Sequence, residues 1–156
     1  MDEQTVRKTY KYRLKPTSEQ EQAMAFVLRR CCELYNAALQ ERRDAWQKCS
    51  VSVTLAGQSA QLPEIKEVRP EYRDIHSQVL QDVLIRLDRA FQAFFRRVKN
   101  GETPGYPRCQ GTQRSNSLTY TQFGNGPSRL LSVSGAHPSK MRYSFYLRER
   151  LTAVPS

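Results

Sequence analysis

The stretch DIHSQVLQDVLIRLDRAFQAFFRRVKNGETPGYPR, residues 74–108, carries the strongest pattern in the chain, and the rest is read outward from it. Ile75, Val79, Val83, Leu84, Leu87, Phe91, Phe94, Phe95 and Val98 recur at three- and four-residue steps, the period of a helix with one apolar face. Gln78, Gln81, Asp82, Arg86, Arg89, Gln92, Arg96 and Lys99 fill the rest of the wheel. The pattern predicts a helix capped by Asp74 and ending in Arg96, Arg97 and Lys99, cations that suit the negative end of the helix dipole. One face requires a core, and the other suits an anionic partner. Gly101 stops the helix and opens a loop rich in glycine and proline.

Upstream, Val6, Lys8, Tyr10, Tyr12 and Leu14 alternate with Arg7, Thr9, Lys11 and Arg13, the period of a half-buried strand. Lys15 to Ser18 end that strand and begin a helix, with Thr17/Gln20 and Ser18/Glu21 both fitting a capping box. Apolar residues at helical spacing from Met24 to Trp46 carry it to about Lys48, interrupted near Arg42. Residues 50–68 give a short apolar alternation and then a short helix broken at Pro63. Three main helices are thus expected to bundle between residues 17 and 100. Downstream, residues 117–123, 129–134 and 141–147 read as short strands.

A strand, a helical block and further strands is the order of a helical domain inserted into a β-domain whose first strand precedes the insertion. The expected class is therefore α+β, with the helical bundle inserted into a small, incomplete antiparallel β-domain. The expected segments are a first strand (1–16), the helices (17–100), a basic loop with a returning strand (101–128) and a divergent tail (129–156).

Composition narrows the function. A net charge of +10 and a pI near 9.8 exceed what solubility requires and point to a polyanion. Nucleic acid is favoured over a membrane surface because no lipidation motif or separate basic-aromatic anchor helix is present. No apolar run approaches the roughly 20 residues of a membrane span, and MDEQTVRK is followed by no apolar segment, so a cytoplasmic protein is expected.

Cys31, Cys32, Cys49 and Cys109 lack CxxC spacing, and His76 and His137 are isolated. No catalytic residue, metal ligand, cofactor or small-molecule substrate is assigned. Arg86, Arg89, Arg96, Arg97, Lys99, Arg108 and Arg114 can instead form a cationic run for phosphates. Gln78, Gln81 and Gln92 lie beside it with amides able to read base edges, and Tyr106, Tyr120 and Phe123 can stack on unpaired bases.

The segments KTYKYRLKPTSEQEQ, RRCCELYNAALQERRDAW, LQDVLIRLDRAFQAFFRRVKNGETPGYPR and NSLTYTQFGN, in this order, resemble the N-terminal part of the TnpB or OrfB-type proteins of bacterial insertion sequences. That region is traditionally labelled a transposase helix-turn-helix domain. The resemblance implies an RNA-guided DNA endonuclease related to type V CRISPR effectors, in which a β-barrel wedge and an inserted helical recognition domain grip guide RNA and read a motif beside the target DNA. By motif position, it makes Ser77, Gln81 and Asn125 candidates for motif reading. Arg13, Lys15, Arg86, Arg97, Lys99 and Arg108 become candidates for backbone contacts. The family's RuvC carboxylates and zinc pairs have no counterpart in this sequence, so a truncated, non-cutting chain is expected. Two other readings stay open: a stand-alone helix-turn-helix regulator using the helix at 74–99, and an inert product of a decayed transposase gene.

Overall fold

The computed structural model describes residues 16–120 and the strand at 143–146. Helix α1 (Ser18–Cys49) is one unbroken rod of 32 residues, roughly 48 Å long. No glycine or proline interrupts it, and its first turn is closed by a capping box. The Thr17 hydroxyl accepts from the Gln20 amide at 3.3 Å, and the Gln20 side chain accepts from the Thr17 amide at 3.0 Å. Two short helices follow, α2 (Leu55–Ala60) and α3 (Leu62–Val68), and then a single 3-10 turn at Pro70–Tyr72. Pro63 initiates α3 rather than breaking a helix: in the first turn its missing N–H has no partner to lose, and its fixed φ suits the entering chain.

Helix α4 (Ser77–Lys99) begins two residues later than the sequence pattern suggests. His76, not Asp74, is the cap, its Nδ1 accepting from the Gln78 amide at 3.3 Å. Ile75 is buried just ahead of the helix rather than on it. At the other end Gly101 takes a left-handed φ of 75°, with Glu102 N–H bonded to Arg97 C=O and Gly101 N–H to Val98 C=O, both at 3.0 Å. This is a Schellman ending, which closes the last turn and turns the chain back.

Helices α1 and α4 run side by side in the same direction, with α2 and α3 returning between them. Near its middle α1 meets the turn before α4, where the Tyr72 hydroxyl donates to Arg30 C=O at 3.1 Å. Three turns further on, Arg42 meets Asp88. On the return path Gln58 of α2 donates to Ala38 C=O, and Lys66 of α3 donates to Ile75 C=O, both at 2.9 Å. The shared core joins Leu28, Cys31, Leu34, Tyr35, Ala38 and Leu39 of α1 to Val79, Leu80, Val83, Leu84, Leu87 and Phe91 of α4, with Leu62, Tyr72, Ile75 and Leu118 closing the layer.

Strand β1 (Ser117–Tyr120) pairs antiparallel with β2 (Tyr143–Tyr146), Ser117 opposite Tyr146 and Tyr120 opposite Tyr143. The described chain is thus mainly helical with a two-stranded ribbon. The strands expected at 6–14 and 129–134 lie outside the described residues.

Ser50, just past α1, holds φ at 55°, where a Cβ costs about 1 kcal/mol and glycine costs nothing. Ser50→Gly is expected to raise stability by about 0.5–1 kcal/mol, read as a higher thermal midpoint. A lower midpoint would show that the Ser50 side chain contributes more than its backbone strain costs.

Candidate nucleic-acid interface

The cations divide into two groups by what surrounds them. Away from the end of α4 and the loop after it, most of those described are paired. Arg30 bonds Glu33 at 2.9 Å, Arg69 bonds Glu71 at 2.6 Å, and Lys48 bonds Asp44 at 3.1 Å. These pairs also move the carboxyls. A backbone hydrogen bond, with Arg69 next, holds Glu71 below the ordinary range, and the hydrogen bonds from Lys48 and Gln40 do the same for Asp44. Arg42 is buried between helices, its Nε donating to Gln58 at 2.8 Å and its Nη1 to Asp88 at 3.1 Å, with the guanidinium 5.1 Å from the Phe91 ring centre.

The second group runs from Arg89 through Arg96, Arg97, Lys99 and Arg108 to Arg114. All six are exposed, and among the described residues none of their side chains has a hydrogen bond or ion pair. Residues 89–114 contain one acid, Glu102. Uncompensated cations concentrated on one segment create a positive field that proteins generally direct at phosphates.

The loop after α4 is held at two places. Tyr106 packs edge-on against Phe91 and Phe94, each ring centre 5.5 Å away, with the Arg43 guanidinium 5.4 Å from its own centre. Further along, the Asn36 side chain bonds both backbone groups of Gln110, Nδ2 to C=O at 2.9 Å and Oδ1 from N–H at 2.8 Å. The Cys32 thiol donates to the same carbonyl at 3.1 Å. Arg108 stands exposed between these anchors, with Pro107 buried beside it, so its backbone is already ordered before any ligand arrives. Burial pushes the Cys31 thiol up to about 12 and raises Cys32 as well, so both stay protonated and serve as packing groups. Among the described residues no three His, Cys, Asp or Glu side chains converge as a metal site requires.

The residues singled out from sequence do not form one site. Arg13, Lys15 and Asn125 lie outside the described residues. Ser77 and Gln81 are exposed, one turn apart on the same face at the start of α4. Arg97 and Lys99 are exposed at its far end, roughly 30 Å away by helical rise. Ser77 already accepts from Lys66 Nζ at 3.0 Å.

Arg86 turns inward. Its Nε bonds the buried Asp82 at 2.6 Å, and its Nη1 and Nη2 donate to Ser117 and Thr119 of β1 at 2.6–3.1 Å. It holds the strand to the helix, and its guanidinium is committed there. Gln78, which the sequence placed on the polar face, is buried at 6% exposure. Conversely Phe95, Val98 and Trp46, read from periodicity as buried, are 60%, 50% and 63% exposed. Phe95 and Val98 lie beyond Phe91, the last α4 residue in the core, and Trp46 lies beyond Leu39, the last α1 residue in it. Sequence reasoning also missed Asn36, since a lone asparagine on a helix carries no signal that a loop will return to it.

Comparison with known families bears on the N-terminal segment. Residues 1–49 match the helix-turn-helix domain of OrfB/IS605-type proteins. The chain carries an OrfB-type domain at its N-terminus. Within the part of that domain the structure describes, residues 18–49, there is a single helix and no turn. The two crossed helices of a helix-turn-helix are therefore not formed by these residues.

The chain is also similar to a Streptomyces pristinaespiralis protein provisionally named an RNA-guided DNA endonuclease, 30% identical over 148 residues. That match takes in 94% of this chain and 36% of the relative, so the chain spans about a third of the relative's length. At that coverage the likeness runs past residue 129 into the segment read as a divergent tail. No helix among the described residues is long and apolar enough to cross a membrane.

Proposed function

We propose that this chain is the nucleic-acid-binding module of a TnpB-like, transposon-associated protein, with guide RNA and target DNA as its ligands. In this reading residues 17–100 are the recognition helices, and residues 1–16 and 101–128 belong to a wedge. The cations of residues 89–114 hold RNA phosphates, while Ser77 and Gln81 meet the edge of a DNA duplex at the other end of α4. The observation that carries this reading is the sorting of cations. Those elsewhere are mostly tied to acids or backbone carbonyls, whereas six consecutive cations along one segment have no described partner. The name of the Streptomyces relative supports RNA as one ligand.

The stand-alone helix-turn-helix reading fits less well, because α1 is unbroken and α4 is roughly 35 Å long, with no short recognition helix presented at a turn. The test is the affinity of the purified chain for RNA of the transposon right end against duplex DNA of equal length, over a salt series. RNA bound at least ten-fold more tightly at equal salt is the expected result. Preference for one palindromic duplex would replace this reading with the regulator.

A further inference from the structure

We infer that Phe95 is a stacking platform for one unpaired base of single-stranded RNA, an inference that rests on the function proposed above. Phe91 is the last α4 residue in the core, and of the Phe94–Phe95 pair beyond it Phe94 is half-buried while the other ring is left outside. That ring is Phe95, at 60% exposure.

It is nonetheless held in place. Its plane lies 29° from that of Phe91 with centres 6.1 Å apart, and Phe94 meets it edge-on at 5.2 Å. Phe94 in turn contacts Tyr106, over which Arg43 lies. The result is a cluster of four rings anchored in the core at Phe91, with Phe95 as its most exposed member. A base laid on the free side of Phe95 continues that stack, at little cost in side-chain ordering.

The surroundings specify the occupant. Lys99 stands one helical turn beyond Phe95 and Arg96 is its neighbour in sequence; both are exposed and without described partners. An apolar protein surface docking here would strip water from these cations and offer nothing in return. A nucleotide supplies a flat ring for the phenyl group and phosphates for the cations. Folded RNA presents splayed bases in its loops and ends, whereas duplex DNA keeps its bases stacked inside.

The test uses Phe95→Ala, Phe95→Leu and Phe95→Trp in the full chain, with binding measured by fluorescence anisotropy. The probes are a labelled single-stranded RNA of about 12 nucleotides, within the range one binding groove covers, the matching single-stranded DNA, and an RNA duplex of equal length. Because Phe95 is mostly outside the core, all three variants are expected to melt as the wild type does.

Alanine and leucine are expected to weaken the single-stranded RNA about ten-fold, tryptophan to retain it, and the duplex to change less than two-fold. The slope of affinity against salt should not change, since no charge is removed. Full retention of binding by leucine would indicate an apolar contact without stacking and overturn the inference. So would an equal loss on the duplex, or tighter binding and an equal loss on the single-stranded DNA. If the wild type binds none of the probes, the proposed function fails first. If it binds all of them and Phe95→Ala changes nothing, only the platform fails.

Discussion

Asp88→Ala is expected to lower the free energy of unfolding by about 3 kcal/mol, a large effect for a carboxylate at the edge of the core. Asp88 is the acid that faces Arg42, whose side chain is only 8% exposed. Arg42 arises from α1, Gln58 from α2 and Asp88 from α4, so this one network joins three helices at the level where the apolar layer ends. Removing Asp88 leaves a buried guanidinium with no counter-charge, and its Nη2 already has no hydrogen-bond partner.

The cost belongs to the stranded charge, not to the loss of an attractive pair. Arg42→Met in the Asp88→Ala background is therefore expected to recover at least half of the loss, because a flexible apolar side chain can fill the space beside Phe91. Denaturant titration of both variants measures this. A single change costing less than about 1 kcal/mol, or a double variant no better than the single, would show that water reaches the guanidinium and the network does not join the helices.

The second large effect concerns binding. Replacing Arg96, Arg97 and Lys99 together by alanine is expected to weaken RNA binding more than ten-fold at low salt and to reduce the salt slope by about 2, near 0.7 for each single-strand phosphate no longer neutralised. All three are exposed and without described partners, so the thermal midpoint should stay within a few degrees. The loss should be equal for all RNA sequences, since phosphate contacts carry no sequence information. Arg86→Ala would behave differently: it releases β1 from α4, so stability falls and any effect on binding follows from that. A triple variant with an unchanged slope would remove the end of α4 from the binding surface.

Much of the helical frame was legible because its signals are local. Thr17 with Gln20 marked the start of α1, the apolar spacing from Met24 to Trp46 marked its extent, and the apolar spacing from Val79 to Phe91 marked the buried face of α4. Where two local signals competed the reading slipped. Asp74 and His76 can both cap a helix, and only the burial of Ile75 ahead of α4 decides between them. Pro63 signals the beginning of a helix as readily as its interruption.

Periodicity alone cannot say where a core stops. Phe95 and Trp46 continue the apolar spacing past the last packed layer and are exposed for that reason. The candidate site was legible as composition but not as geometry. The charges of Arg86 and Arg97 look alike in sequence, yet one is committed to Asp82 and β1 and the other is free among the described residues. That difference depends on a strand 31 residues away returning to α4.

Ultraviolet cross-linking of the full chain to right-end RNA, followed by mapping of the linked peptides, tests the central claim most directly, because it reports proximity without a substitution. Cross-links within residues 89–114, at Phe95 or Tyr106, are the predicted result. Cross-links concentrated instead around residues 62–73, where Arg69 lies among Glu33 and Glu71, would contradict the assignment of the unpaired cations as the RNA-binding face.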